Sequence, residues 1–288
     1  MRWPPDPARW PMAEVSRQVL CRPHRWHVQS AGSGPTALLI HGAGGATQSF
    51  RHLFPLLTPH FYTVAVDLPG QGYTQLGARH RCGLDDMAED LLALVRKEGI
   101  APDVIIGHSA GAAIALRLVE LGLRPDQGVI AINAALGNFK GVAGWLFPAM
   151  AKVLSITPFS AEFFCASTTP NSVRNLIRGT GSTLDAEGND LYLRLARDSG
   201  HVGATLAMMA QWELDPLLDR LGQIATSVKL IVGQNDTAVP PSTSTEAAAR
   251  LNQAEVLSLP NLGHLAHEED ADQIATLILN ATGRQGSP

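Results

Sequence analysis

The sequence predicts an α/β fold in which helices cover both faces of a mostly parallel, doubly wound sheet. Three observations lead to this prediction. Short apolar runs alternate along the chain with longer amphipathic segments, most runs are apolar on both faces, and turns rich in glycine or aspartate follow several of them. With 45% hydrophobic and 17% charged residues among 288, the chain has ample apolar surface for one large core.

The predicted strands fall into two groups, with a long helical span between them. An N-terminal piece at residues 25–29 reads as part of an antiparallel edge hairpin. The predicted strands of the parallel sheet are residues 36–40, 61–66, 103–106, 127–132, 227–232 and 254–259. The predicted helices between and after them are residues 47–57, 84–97, 112–121 and about 268–280.

The alternation stops between about residues 138 and 214, where the composition is helical and supplies no clear strand. Predicted helices in this span are residues 142–156, 172–177, 191–197 and 202–213. Because both flanks belong to one sheet, we predict an α/β core made of residues 1–137 and 215–288, with a helical cap of residues 138–214 inserted over one end of the sheet.

The predicted cap is rich in large apolar side chains. They are the uncharged segment 141–150 together with Phe159, Phe163, Phe164, Met208, Met209 and Trp212. Such side chains suit the lining of a pocket for a small hydrophobic substrate, with a planar tetrapyrrole as the candidate. They would equally serve to pack the cap onto the core, and the sequence leaves both interpretations open.

Residues 107–111 read Gly-His-Ser-Ala-Gly and match the pattern G-x-S-x-G. In this motif the serine lies on a strained turn between a strand and a helix, and the small neighbours let the backbone pass closely. A predicted strand precedes the motif and a predicted helix follows it, which is the context that it requires. We therefore predict Ser109 as a nucleophile. The alternative is a glycine-rich turn with a serine that caps the helix.

A serine nucleophile needs a general base, which is itself oriented by a carboxylate. On a fold with such a turn, the expected order along the chain is serine, acid, histidine. Asp236 follows the predicted strand 227–232, and His264 follows the predicted strand 254–259. Because the carboxyl ends of parallel strands share one edge of the sheet, we predict that both side chains lie near Ser109, with Asp236 as acid and His264 as base.

Other candidates for these roles are weaker. Asp215 and Asp219 are rival acids, but both are predicted at the start of a helix, where a carboxylate is explained by the helix dipole. We expect His267, three residues after the predicted base, to face solvent. The pair His24 and His27 has a spacing that metal ligands could tolerate, but it is predicted on the surface of the edge strand, without a carboxylate nearby, and is not taken as a metal site.

Acyl transfer also needs N–H donors for the oxyanion that develops on the attacked carbonyl. The backbone N–H of Ala110 directly follows the nucleophile, at a helix N-terminus. We predict that the second donor is Ala43, in the glycine-rich turn at residues 41–45. A tight strand-to-helix connection without a catalytic role is the alternative for that turn.

Composition excludes several classes of function. The net charge of −4 disfavours a nucleic-acid partner, and no apolar run is long enough for a membrane span. The chain lacks the G-x-x-x-x-G-K-[ST] pattern of P-loop ATPases. The only cysteines, Cys21, Cys82 and Cys165, are too far apart for a disulfide framework or a cysteine zinc site. We expect a cytoplasmic protein that needs no metal or organic cofactor.

The motifs above, taken in order, resemble the α/β-hydrolase family over nearly the whole chain. They are His41-Gly42, the run 67–72, the run 107–111, the run 233–236 and Gly263-His264. The resemblance implies the hydrolase fold with Ser109, Asp236 and His264 as its catalytic residues. Further runs at residues 3–7, 16–17, 26–29, 108–115 and 133–136 resemble the magnesium-chelatase accessory proteins of bacteriochlorophyll biosynthesis, a family also described as 30 kDa subunits.

This second resemblance implies a role beside magnesium insertion into protoporphyrin IX. It also implies magnesium-chelatase subunits as partners, and it leaves open a location at the periphery of the photosynthetic membrane. The leading hypothesis from the sequence is a serine hydrolase, of carboxylic-ester type, that acts in this pathway. The alternative is a catalytically idle porphyrin carrier or assembly factor for the chelatase. Thioesters, carboxylic esters and carbon–carbon bonds all remain possible substrates.

Overall fold

The computed structural model describes residues 1–137 and 160–284 of the chain. Its centre is an eight-stranded sheet with the strand order β1-β2-β4-β3-β5-β6-β7-β8. The strands are β1 (Ser16–Cys21), β2 (His24–Ala31), β3 (Thr36–Ile40), β4 (Tyr62–Val66), β5 (Pro102–His108), β6 (Val129–Ile132), β7 (Val228–Gly233) and β8 (Ala254–Leu259). Strands β3 to β8 pair in parallel, and the hairpin β1–β2 joins β4 in the antiparallel sense. The fold class predicted from the sequence is confirmed.

The described residues form eleven α-helices. They are α1 (Leu53–Leu57), α2 (Leu84–Lys97), α3 (Ala110–Glu120), α4 (Ser160–Ser167), α5 (Pro170–Arg178), α6 (Ala186–Ala196), α7 (Ser199–Gln211), α8 (Asp215–Asp219), α9 (Pro241–Ala248), α10 (Ala266–Glu269) and α11 (Ala271–Ala281). Short 3₁₀ turns cover Ala13–Val15, Thr47–Phe50 and Leu221–Gln223.

The apolar core has two layers, one on each face of the sheet. Helices α2, α3, α8 and α9 supply buried side chains to the first layer. Helices α1, α10 and α11 supply the second. Strand residues point alternately to both layers: Leu38 and Ile40 belong to the first and Leu39 to the second. Strands β3 to β7 are therefore largely buried on both faces, as their continuous apolar runs predicted, whereas most of β8 is exposed or half-buried.

Two predicted helices are interrupted in the structure. The predicted helix 47–57 is a 3₁₀ turn followed by α1, because Pro55 has no N–H to donate to the carbonyl of residue 51. The predicted C-terminal helix divides at Asp270, which leaves helical geometry at φ −144°. The Asp270 carboxylate then accepts the N–H of Gln273 at 2.9 Å and caps α11.

The prediction that His24 and His27 lie on the surface is wrong. Both are fully buried, and each contacts a carboxylate: His24 Nε2 lies 3.0 Å from Asp90 Oδ2, and His27 Nδ1 lies 2.6 Å from Asp67 Oδ2. The reason is the strand order. Strand β1 forms the edge of the sheet, so β2, which carries both histidines, lies one strand inside it.

The helices α4 to α7 lie between β6 and β7, within the predicted cap. Of the apolar residues that the sequence assigned to a pocket lining, segment 141–150 and Phe159 lie outside the described residues. Met208 is buried in the core layer of α2 and α3, whereas the Phe163 side chain is 77% exposed. Within the described ranges, no helix combines the length and the apolar character needed to cross a membrane.

Candidate functional site

The turn that carries Ser109 has the backbone strain that the motif predicts. Ser109 follows β5 directly and precedes α3, with φ 53° and ψ −117°. A Cβ on Gly107 would lie 2.5 Å from the Gly111 carbonyl oxygen, and a Cβ on Gly111 would lie 2.2 Å from the Ile40 carbonyl oxygen. Only glycine fits at both positions, because the strand, the turn and the helix start meet there. The turn thereby presents the half-buried Ser109 side chain at the carboxyl end of β5.

The three side chains predicted to act together are in contact. The Ser109 hydroxyl lies 3.0 Å from His264 Nε2, and His264 Nδ1 lies 2.8 Å from Asp236 Oδ2. With Nδ1–H donating to the carboxylate, Nε2 carries the lone pair that accepts the serine proton. The arrangement can therefore raise the nucleophilicity of a serine hydroxyl.

Asp236 is held as an acceptor of four donors. Its Oδ1 accepts the N–H groups of Ala238 at 2.9 Å and Val239 at 2.8 Å. Its Oδ2 accepts the Asn133 amide at 2.7 Å as well as His264 Nδ1–H. Four donors therefore fix the orientation of a carboxylate that is only 4% exposed. The sequence analysis missed Asn133, which stands at the end of β6 with φ 46°.

His264 is positioned through its backbone as well as its ring. His108 Nε2–H donates to the His264 carbonyl oxygen at 2.8 Å. Burial and the neighbouring imidazoles of His267 and His264 hold the pKa of His108 well below its ordinary value. His108 therefore remains neutral and ties the loop of the predicted base to the residue that precedes the predicted nucleophile.

A second group that the sequence analysis missed is the segment 179–182, between α5 and α6. The Thr180 carbonyl accepts the N–H of Thr237 and the N–H of His264, each at 3.3 Å. The Ser182 hydroxyl accepts the Leu265 N–H at 2.8 Å. This segment thus holds together the loop that carries Asp236 and the loop that carries His264. Thr180 binds through its backbone carbonyl, so its residue type gives little signal.

The predicted oxyanion donors flank Ser109. Ala110 is the first residue of α3, where N–H groups have no partner within the helix. The turn that contains Ala43 passes close to the serine, because a Cβ on Gly42 would lie only 2.9 Å from the Ser109 Cβ. Both candidates therefore stand beside the predicted nucleophile.

The rival acids do not take the place of Asp236 beside His264 Nδ1. Asp215 begins α8, as predicted. Asp219 ends this helix instead of starting it; its side chain is 81% exposed and lies 3.8 Å from Arg250. Within the described ranges, no group of three or more His, Cys, Asp or Glu side chains could hold a metal ion.

The prediction that His267 faces solvent is wrong, since it is fully buried. Helix α10 packs this residue inward, with ring centroids 4.3 Å from His108 and 5.4 Å from Phe50. Burial, and to a lesser extent the charges of His264 and Arg51, lower the pKa of His267 to about 3. The residue is therefore a neutral part of the packing beneath the site.

We expect His267→Met to make the protein less sensitive to acid. Between pH 6.5 and about 3 the unfolded chain binds a proton at this histidine and the folded chain does not, so stability falls as the pH is lowered. Removing the imidazole should flatten this dependence by up to about 1.4 kcal/mol per pH unit. The free energy of unfolding in urea, measured at pH 7 and at pH 5, gives this dependence. His80→Met, which changes an exposed histidine, is the control. The prediction would be contradicted if the free energy of unfolding changed by the same amount between pH 7 and pH 5 in the wild type and in both variants.

Comparison with known proteins adds to this geometry. The model of the alpha/beta hydrolase family matches residues 37–277, a range that contains Ser109, Asp236 and His264. The chain belongs to the alpha/beta hydrolase family. The match also contains β3 except its first residue, Thr36, and all of β4 to β8, so nearly all of the parallel sheet and the candidate site of this alpha/beta hydrolase lie inside the family domain.

Individual relatives cover nearly the whole length of this alpha/beta hydrolase. It is 42% identical over 279 residues to the "Magnesium-chelatase 30 kDa subunit" of Rhodobacter capsulatus, which covers 95% of this chain and 96% of the relative. It is 28% identical to the "Pimeloyl-[acyl-carrier protein] methyl ester esterase" of Xanthomonas axonopodis pv. citri, over 88% and 96% of the two chains. An alpha/beta hydrolase fold protein from Burkholderia ambifaria is 19% identical, with a TM-score of 0.77 over 92% and 97% of the chains, and supports the fold.

Proposed function

We propose that this alpha/beta hydrolase is a serine hydrolase of the carboxylic-ester type. One observation carries the proposal: the Ser109 hydroxyl, on the strained turn after β5, lies 3.0 Å from His264 Nε2, and His264 Nδ1 lies 2.8 Å from Asp236 Oδ2. Ser109 would attack the substrate carbonyl while His264 accepts its proton. His264 would then return that proton to the leaving alcohol, and Asp236 would stabilise the imidazolium between the two steps.

The proposed oxyanion donors are the N–H groups of Ala43 and Ala110. As the carbonyl becomes tetrahedral, its oxygen gains negative charge, and donors already in place stabilise that charge. The N-terminus of α3 adds the positive end of a helix dipole at Ala110. Water would then hydrolyse the acyl-enzyme with His264 as base, which restores the free serine and releases the acid.

We further propose that the substrate is a hydrophobic molecule of the bacteriochlorophyll pathway, with a tetrapyrrole ester as the candidate. Support comes from the 42% identity to the magnesium-chelatase 30 kDa subunit, and from the resemblance of several sequence runs to that accessory family. The chain would act in the cytoplasm beside the chelatase subunits. The predicted cap, residues 138–214, would cover the substrate.

A second candidate function is a porphyrin carrier or assembly factor for the chelatase. It is favoured by the name of the 42% identical relative, because magnesium insertion into a porphyrin exchanges N–H protons for a metal ion and forms no acyl bond. Against it stand the contacts at Ser109, since binding alone requires neither a strained serine nor an oriented imidazole.

A fluorophosphonate probe separates the two functions, because it phosphonylates activated serines only. We expect the wild type and a Ser258→Ala control, which changes an exposed serine on β8, to react equally. We expect Ser109→Ala not to react. A wild type that stays unlabelled although it is folded would contradict the hydrolase and favour the carrier.

A second experiment connects the chemistry with the pathway. In a phototrophic bacterium that lacks its own copy of the protein, the wild-type chain should restore bacteriochlorophyll synthesis, and Ser109→Ala should not. Pigment absorbance in vivo measures the effect, and accumulated protoporphyrin would mark a block at magnesium insertion. Full restoration by Ser109→Ala would remove hydrolysis as the biological role.

A further inference from the structure

Helix α7 packs one face onto two turns beside Ser109. The first is the glycine turn, residues 41–45, and the second is the turn at residues 67–72. The four residues that form this face are spaced as neighbours on a helix. They are His201, Ala204, Thr205 and Met208. A Cβ on Gly44 would lie 3.6 Å from Thr205 Cγ2, and a Cβ on Gly70 would lie 2.4 Å from the Ala204 Cβ.

The His201 imidazole bridges the two turns. Its Nδ1 accepts the Gly72 N–H at 3.0 Å, which requires the proton of the neutral ring to be on Nε2. Nε2–H then donates to the Gly44 carbonyl oxygen at 3.2 Å. Burial lowers the pKa of His201 to about 4, so the ring is neutral near pH 7 and both bonds persist. The ring thus accepts a hydrogen bond from the Gly72 N–H and donates one to the Gly44 carbonyl at the same time.

The remaining groups of the glycine turn are also fixed. Gln71 Oε1 accepts the Gly44 N–H at 2.8 Å, and Gln71 Nε2 donates to Met208 Sδ at 3.3 Å. His41 Nδ1–H donates to the Gly42 carbonyl at 2.7 Å. Because a peptide unit is planar, fixing the Gly42 carbonyl also sets the direction of the Ala43 N–H. Ala43 therefore lies between two fixed peptide units: His41 fixes the first through the Gly42 carbonyl, and Gln71 fixes the second through the Gly44 N–H. His201 on α7 fixes the next peptide unit of the turn, through the Gly44 carbonyl.

We propose that His201 is a positioning residue for acyl transfer at Ser109: it ties α7 to the glycine turn and so keeps the Ala43 N–H aimed at the developing oxyanion. The inference rests on the proposed function and extends it, because it makes a helix of the predicted cap part of the catalytic geometry. The His201 ring hydrogen-bonds Gly72 and Gly44 rather than Ser109. Its effect should therefore fall on the chemical step rather than on binding.

The test compares His201→Phe with His201→Gln. Phenylalanine keeps much of the volume and removes both bonds, whereas glutamine retains one acceptor and one donor. For a p-nitrophenyl ester we expect His201→Phe to lower kcat by about 10- to 100-fold, a part of the 10²–10³ that a lost oxyanion donor costs. KM should change by less than about threefold, and glutamine should restore about tenfold of the loss.

The matched control is His24→Phe. His24 is also a fully buried imidazole that accepts a glycine N–H, from Gly77 at 3.2 Å, and contacts Asp90 at 3.0 Å. It lies on β2, and we expect its replacement to lower thermal stability while kcat stays within about twofold of the wild type. If His201→Phe does not fold, Gln71→Met carries the test, because it removes the other link between α7 and the glycine turn, which runs from Met208 Sδ through the Gln71 amide to the Gly44 N–H.

The outcomes separate the inference from the function on which it rests. A wild type that neither reacts with the fluorophosphonate nor hydrolyses the ester contradicts the proposed function, and the inference with it. The inference alone is contradicted if the wild type reacts with the fluorophosphonate and hydrolyses the ester, while His201→Phe folds and has the same kcat as the wild type. The same holds if His201→Phe and His24→Phe lose kcat equally, or if glutamine restores nothing.

Discussion

Replacing His264 by alanine is expected to lower ester turnover by about three to six orders of magnitude while the fold is retained. The imidazole is the group that contacts both the Ser109 hydroxyl, at 3.0 Å, and the Asp236 carboxylate, at 2.8 Å. Without it the serine proton has no acceptor of suitable basicity, and the leaving group has no acid. The His264 side chain is partly exposed, so its loss leaves only a small cavity.

The measurement is the initial rate of p-nitrophenyl ester hydrolysis, together with thermal unfolding of each variant. His267→Ala is the informative control, because it removes an imidazole three residues away from the same region. We expect His267→Ala to lose stability and to keep far more activity than His264→Ala. Equal activity of the wild type and a folded His264→Ala would show that Ser109 does not depend on this base.

The second large effect is expected for Asp236→Asn, with a loss of kcat of about 10⁴-fold. The carboxylate accepts four donors, whereas an asparagine amide would present an N–H₂ group to at least one of them. If that group faces His264 Nδ1, the imidazole is forced into the tautomer with the proton on Nε2. The lone pair would then point away from the serine.

Activity above neutral pH distinguishes this explanation from simple unfolding, because hydroxide can partly replace a lost base. We expect the rate of Asp236→Asn to rise with pH beyond the plateau of the wild type. The rival acid provides the control, since Asp219→Asn changes a highly exposed carboxylate at the end of α8. A loss of kcat in Asp219→Asn as large as that in Asp236→Asn would contradict the assignment of the acid.

The parts of the fold that follow from local chemistry could be predicted from the sequence. Strands β3 to β7 are apolar on both faces because helices cover both, and this produces continuous apolar runs. Ser109 could be located because its strained backbone demands glycines at fixed positions. Asp236 and His264 could be placed because each follows a predicted strand of the parallel sheet. The structure brings the two side chains into contact.

The residues that escaped prediction depend on contacts between distant segments. The sequence predicted His267 in solvent, three residues after the predicted base, yet α10 packs it against His108 and Phe50. His24 and His27 were misplaced because the sequence did not reveal that β1 would shield β2. Thr180 acts through its carbonyl, a group that every residue possesses, so no side-chain pattern could have marked it.

The bonds made by Thr180 carry a consequence for any attempt to shorten or exchange the region between β6 and β7. One carbonyl there receives N–H groups from the loops of both Asp236 and His264, so residues 179–182 brace the candidate site. A truncated protein that lost residues 179–182 would keep the sheet and the serine but release two loops from their common anchor. Chimeras that exchange this region between relatives to change their range of substrates should therefore keep residues 179–182 and replace only the helices on either side.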